Sequence, residues 1–211
     1  MEIKNKKILV LAPHTDDVDF GMGGTISRLI QDGNEIYQVA FSSASNINIH
    51  GTRNEVLIRE IKAAAHSLGI RTDNLFIHDY SVRIFEENRQ SILDLILYYK
   101  SKFNPDVIFC PASTDIHQDH QVIYNETVRA FKFSTILGYN LCWNQISTQN
   151  HVFFELNEVS VAKKIKACQC YISQETRAYY SEDYIKAVLV VNGVHSNKKY
   201  AESFECIRVN L

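Results

Sequence analysis

The chain predicts an α/β fold, an open and mostly parallel sheet with helices on both faces, and three observations carry that prediction. Short apolar runs alternate with helical patterns four times in succession between Lys7 and Ala112. The first and last of these runs, KKILVLAP and DVIFCPA, are continuously apolar, as strands buried on both faces of a parallel sheet must be. The two most unusual polar stretches, APHTDD and PASTDIHQDHQ, each follow one of those runs directly, where an open sheet of this Rossmann-like kind gathers its ligand.

Taken in order, KKILVLAP is the first strand and GGTISRLIQDG the first helix, ended by Gly33. The glycines before it are read as a tight turn into that helix. EIYQVAFSS reads as the second strand, polar ASNINIHGTR as a loop, and NEVLIREIKAAAHSLG as a helix closed by Gly69. NLFIHDYS is a short third strand. A long amphipathic helix over roughly EENRQSILDLILYYKSKF then leads through Asn104 and Pro105 into DVIFCPA. From about Phe131 the pattern is less decided: LGYNLCW and HVFFEL read as strands, VSVAKKIKACQCYISQ as a helix, and DYIKAVLVV fits either. No repeat, low-complexity tract or linker divides the chain, so residues 1–211 are expected to form a single domain.

Lys and Arg number 22 against 24 Asp and Glu, a net charge of -2 that offers no basic field to a nucleic acid backbone or an anionic membrane. Neither is expected as a partner. The apolar run near the N-terminus is too short for a signal-peptide core or a membrane span, and a cytoplasmic location is expected. The five cysteines are odd in number and scattered, and Cys168 and Cys170 would point to different faces of a helix. Free thiols are therefore expected rather than a cysteine zinc site.

His14, Asp16, Asp17 and Asp19 stand where a buried strand should end, and charges there cost free energy unless they bind something. In the second polar stretch His117 and His120 lie three apart, with Asp115 and Asp119 interleaved. Histidine with carboxylate is the ligand chemistry of catalytic zinc and similar divalent metals, which keep three protein ligands and one open position. A single loop histidine is ordinarily solvated, and a carboxylate near a helix start ordinarily serves the helix dipole. Two such loops at strand ends of one sheet favour a shared metal. GMGG lacks the G-x-G-x-x-G spacing of a dinucleotide loop, and no phosphate-loop lysine follows the first strand.

Pro13-His14-Thr15-Asp16-Asp17-Val18, with Gly21, Gly23 and Gly24 after it, resembles the P-H-P-D-D-E signature of the PIG-L or LmbE-like zinc deacetylases. His117-Gln118-Asp119-His120 resembles their H-P-D-H. The likeness extends to AAAHSLGI, to KIKACQCYISQ and to the A-E-x-F segment of AESFECIRV near the C-terminus. The resemblance implies an LmbE-like three-layer sandwich that removes an N-acetyl group from a sugar or sugar conjugate by attack of a zinc-bound water. By position it implies His14, Asp17 and His120 as metal ligands and Zn2+ or another divalent ion as cofactor. It further implies Asp16 as general base and His117 as the residue that stabilises or protonates the tetrahedral intermediate. Two adjacent carboxylates cannot both face one metal from an ordinary turn without strain, which leaves Asp16 free for the water. Asp115 and Asp119 are candidates to orient the two histidines.

The signature departs at Thr15, Val18 and Gln118, none of which is a proposed ligand or base; Asp19 is a candidate to replace the acid missing at Val18. Arg53 and Arg59 both compete for the family's substrate-contacting arginine, Tyr171 stands where many relatives carry histidine, and His195 in NGVHSNKKY is a candidate to line the pocket. His50, His66, His78 and His151 carry no expected role. Two alternatives stand beside deacetylation: hydrolysis of another small amide or carbamoyl group at the same metal, and a non-catalytic metal- or sugar-binding protein. Asp16 argues against the second, because a binding site needs no spare carboxylate beside its ligands. The expected partner is a small N-acetylated sugar; oligomeric state stays open, with a leaning toward a homo-oligomer.

Overall fold

A computed structural model describes residues 3–44 and 54–210. Strands β1 (Lys7–Ala12), β2 (Glu35–Ala40), β3 (Leu75–Ile77), β4 (Val107–Pro111), β5 (Thr135–Tyr139), β6 (Val152–Glu155) and β7 (Ala201–Arg208) form one sheet of order β3-β2-β1-β4-β5-β7-β6. The pairs among β1 to β5 are parallel, and β7 runs antiparallel to both β5 and β6. The helices are α1 (Asp17–Gln31), α2 (Asn54–Leu68), α3 (Arg89–Phe103), α4 (Gln118–Ala130), α5 (Glu158–Gln169) and α6 (Glu182–His195).

The continuous apolar run of β1 has a direct cause. Ile8, Val10 and Ala12 pack under α1, α2, α5 and α6, while Leu9 and Leu11 pack under α3 and α4, and all five are fully buried. Each large side chain so buried contributes roughly 1.5–3 kcal/mol relative to exposure. A polar residue at any of these positions would lack a partner. Among the described residues no helix is long and apolar enough to cross a membrane.

Three elements differ from the sequence pattern. Helix α1 begins at Asp17, inside the acidic motif, so Gly21, Gly23 and Gly24 lie within the helix and not in a turn before it. A Cβ at Gly21 would sit 2.7 Å from Cδ2 of Tyr139, so the glycine lets the helix lie close against β5. Helix α4 begins inside the polar stretch PASTDIHQDHQ and runs on through residues 122–130, to which the sequence pattern assigned no element; its apolar content is sparse, and Val122, Ile123 and Ala130 suffice to seat it. The AESFECIR segment is β7, whose buried polar residues Glu202, Ser203 and Glu205 masked the strand pattern. DYIKAVLVV resolves as part of α6.

The chain runs from β1 outward to β3 and then returns to lay β4 on the other side of β1. The strand order reverses between β1 and β4, so the loops after these two strands face each other at their carboxyl ends. That crevice is where such sheets bind ligands.

Candidate active site

Three side-chain atoms from those loops converge. His14 Nδ1 and His120 Nε2 lie 3.2 Å apart, and Asp17 Oδ2 lies 3.3 Å from each of them. The donors of a tetrahedral zinc site stand about 3.3 Å from one another, given bonds of about 2.0–2.1 Å. Donor types and spacing therefore fit such a metal. The far nitrogen of each ring is bound to a carboxylate, His14 Nε2 to Asp119 Oδ2 at 3.0 Å and His120 Nδ1 to Asp115 Oδ2 at 2.8 Å. Those contacts fix ring orientation and place the proton on the far nitrogen, leaving the near one to bind.

His117 also approaches: nitrogens of His14, His117 and His120 lie within 4.8 Å of one another. Its Nδ1, however, accepts the Asp119 backbone N–H at 3.2 Å as the cap of α4. Neutral His117 therefore carries its proton on Nε2 and is a donor toward the cavity. Burial, then the neighbouring His120 and His14, lower its pKa to about 4 and keep it neutral.

The charges follow from the same packing. Burial opposes charge on His14, but the Asp17 and Asp119 carboxylates outweigh it and raise the imidazole to about 10. Burial likewise opposes charge on Asp17, and His120 and His14 together hold its carboxyl far below the usual range. Asp16 differs from its neighbour. Burial first and the Asp17 charge second push it up to about 6. Although it occupies the cap position of α1, its side chain makes no capping bond and lines the cavity instead.

That cavity has a volume of about 340 Å³ and is walled by His14, Asp16, Asp17, His117 and His120 on one side. Trp143, stacked on Tyr179 with ring centroids 4.0 Å apart, forms another wall. Arg83, Asn144, Gln174 and Arg177 complete much of the rim. Arg83, Asn144 and Arg177 escaped sequence reading, whereas Gln174 ends the KIKACQCYISQ motif, though nothing there marked it as facing a cavity.

The motif that flanks the acidic turn is held from beneath. Helix α1 kinks at Met22 (φ −146°), which frees the N–H groups of Gly24 and Thr25 and the carbonyl of Phe20. Glu202 of β7 accepts both N–H groups, at 3.1 and 2.5 Å, and Lys164 of α5 donates to Phe20 and pairs with Glu202. The lysine and glutamate of the late motifs thus cap a broken helix. Tyr171 is fully buried, its hydroxyl 2.7 Å from the Thr15 carbonyl and 2.6 Å from Asp19 Oδ2. Asp19 points into this packing, so it does not replace the acid missing at Val18.

Of the remaining expectations, Arg59 is exposed on α2, where its Nε donates to the Glu55 carbonyl, and it does not line the cavity. Arg53 and His50 lie outside the described residues. His195 lines a neighbouring apolar cavity beside α6 and not the catalytic one. All five cysteines are free.

The parallel-sheet crevice brings two histidines and an aspartate to a spacing that fits a divalent metal, with a further carboxylate beside them. The chain belongs to the PIG-L family, described as GlcNAc-PI de-N-acetylase, whose pattern matches residues 9–131. It is 22% identical to the diacetylchitobiose deacetylase of Thermococcus kodakarensis over 96% of this chain and 83% of that one. To the uncharacterized deacetylase YaiS of Escherichia coli it is 28% identical, over 78% of this chain and 89% of that one. In structure it superposes on the N,N'-diacetylchitobiose deacetylase of Pyrococcus horikoshii with a TM-score of 0.78 and 20% identity, covering 97% and 86% of the two chains. The 4-carboxy-2-hydroxymuconate hydratase GalB of Pseudomonas putida also shares the fold, with a TM-score of 0.73 and 16% identity over 98% of each chain. Fold alone therefore does not select the reaction.

Proposed function

We propose that the protein hydrolyses the acetyl group from the amine of an N-acetylated sugar or sugar conjugate, with zinc held by His14, Asp17 and His120. The observation that carries this reading is the triangle of donors 3.2–3.3 Å apart with Asp16 free beside it. Family membership supports deacetylation over other uses of the same site. When bound, zinc supplies Lewis acidity to the amide carbonyl and acidifies water.

The chain's own groups do the rest. Asp16, with a pKa of about 6, is ionised at neutral pH and accepts a proton from the attacking water. His117, neutral and protonated on Nε2, donates a hydrogen bond to the carbonyl oxygen as negative charge develops there. The C–N bond breaks, the proton held by Asp16 passes to the leaving amine, and acetate and a free amino sugar result. Trp143 and Tyr179 offer flat faces on which a sugar ring stacks.

The Asp16→Asn substitution tests the assignment. Zinc content measured on the purified variant should match the wild type, while amine release from N-acetylglucosaminides falls by about a hundredfold or more. Surviving turnover would remove Asp16 as the base. A wild-type protein that takes up no zinc would remove the ligand set.

A further inference from the structure

We propose that the substrate carries an anionic group, a phosphate or carboxylate on the N-acetylated sugar, held by Arg83 and Arg177 at the rim of the catalytic cavity. This rests on the deacetylase reading above and narrows its substrate class. Both arginines line the cavity that holds Asp16 and His117, Arg83 from the loop between β3 and α3 and Arg177 from the segment between α5 and α6.

Among the described residues, their guanidinium groups differ from those of the other arginines. Arg28, Arg71, Arg89 and Arg129 each pair with a carboxylate. Arg59 and Arg208 donate to backbone carbonyls. Among the described residues, the guanidinium groups of Arg83 and Arg177 meet neither. Segment 45–53, SNINIHGTR, contains no aspartate or glutamate that could serve them. The cavity's own carboxylates are committed, Asp17 to His14 and His120, and Asp16 to the reacting water.

Both positions are also built in advance of any ligand. Arg83 holds a left-handed backbone (φ 71°), unusual for a side chain with a Cβ. Its N–H is fixed at 2.6 Å to Asp119 Oδ2, the same oxygen that binds His14. On the other side, the Arg177 N–H bonds the Gln174 carbonyl at 2.8 Å. That turn is tied to α2 through Ser173, whose N–H and hydroxyl both donate to buried Glu60 at 2.9 and 2.6 Å. Both side chains are exposed, so their backbones are fixed while their guanidinium groups stay free to turn toward a ligand in the cavity they line, and such a pair suits an oxyanion with several acceptor oxygens. A neutral glycan offers them hydroxyl and carbonyl oxygens but no charge to balance theirs.

The test compares amine release by the zinc-loaded protein from N-acetylglucosamine, its 1-phosphate, its 6-phosphate and N-acetylmuramic acid, which separates phosphate from carboxylate and one placement from another. At low salt at least one charged substrate should exceed the neutral sugar in kcat/KM by about tenfold or more. That ratio should fall toward unity in Arg83→Gln and Arg177→Gln, return in large part with Arg83→Lys, and shrink as ionic strength rises. Equal kcat/KM for charged and neutral sugars, or a ratio unmoved by both substitutions, refutes the anion site and leaves the hydrolase reading standing. If no sugar releases amine, calorimetric titration of the same ligands into zinc-loaded Asp16→Asn decides. Tighter binding of a charged sugar, lost on adding Arg83→Gln, upholds the anion site while the hydrolase reading fails; no preference refutes the anion site.

Discussion

Asp119 stands behind His14 and not among the proposed ligand atoms, yet changing it to asparagine should weaken zinc binding. Three N–H groups converge on this fully buried carboxylate: His14 Nε2 at 3.0 Å and Arg83 N at 2.6 Å on Oδ2, and Phe85 N at 3.2 Å on Oδ1. Burial alone would raise its pKa, but the hydrogen bonds from His14, Arg83 and Phe85 override that and hold it below the usual range. An asparagine has one acceptor oxygen in place of two. With that oxygen kept toward His14 and Arg83, the amide NH2 faces the Phe85 N–H, and one buried donor loses its partner. The reverse orientation strands two donors and is worse. Stability should therefore drop by about 1–3 kcal/mol, read as a shift in the urea midpoint of the metal-free protein. His14 also loses the negative partner that makes its near nitrogen a strong donor, so zinc affinity should fall about 10–100-fold, measured by competition with a chromogenic chelator. An affinity within about twofold of wild type, in a variant that shows the stability loss, would mean that Asp119 braces the loop and does not tune His14 as a ligand.

Two further outcomes follow from the same coordinates. In metal-free protein the folded-state pKa of His14 lies above its ordinary 6.5, at about 10. Its contribution to stability is thus complete below about pH 6.5 and lost as pH rises through about 10; urea midpoints of stripped protein should decline across that window and those of zinc-loaded protein should not. Gly138→Ala in β5 would place a Cβ 2.8 Å from the backbone Cα of Ala112, which cannot retreat without moving the second catalytic loop. Thermal unfolding should show a loss of about 1–3 kcal/mol, and an unchanged midpoint would show that the two strands have slack.

How much of this was legible in the sequence depends on whether a residue's role is local. Strands β1 and β4 announced themselves because burial on both faces leaves no room for a polar position, and the two polar stretches with His14, Asp16, Asp17, Asp19, His117 and His120 stood out because charge after such strands is rare. Only the family resemblance picked His14, Asp17 and His120 from among them. Helix α4 was missed because only a few side chains seat it, and β7 because Glu202 and Glu205 are buried polar groups in its midst. Glu202 is paired with Lys164 from 38 residues away and with a kink that local propensity does not signal. The rim was hidden for a similar reason. Arg83 and Arg177 acquire meaning only when two loops from opposite halves of the chain meet over one cavity, and Arg59, which stood nearer the expected register, turns to solvent.

The donor triangle concentrates lone pairs in a small volume. Two imidazole nitrogens 3.2 Å apart with a carboxylate oxygen 3.3 Å from both would repel one another if none carried a proton. The Asp17 and Asp119 carboxylates answer this by raising His14, and His120 and His14 in turn hold Asp17 ionised. A divalent cation bound there, as proposed, would take the place of the proton on His14 and keep Asp17 ionised. The outer carboxylates of Asp115 and Asp119 need not move, because each already fixes its ring by the nitrogen that faces away. On that proposal the cradle would be set by folding itself, because the two loops meet when β1 and β4 lie side by side.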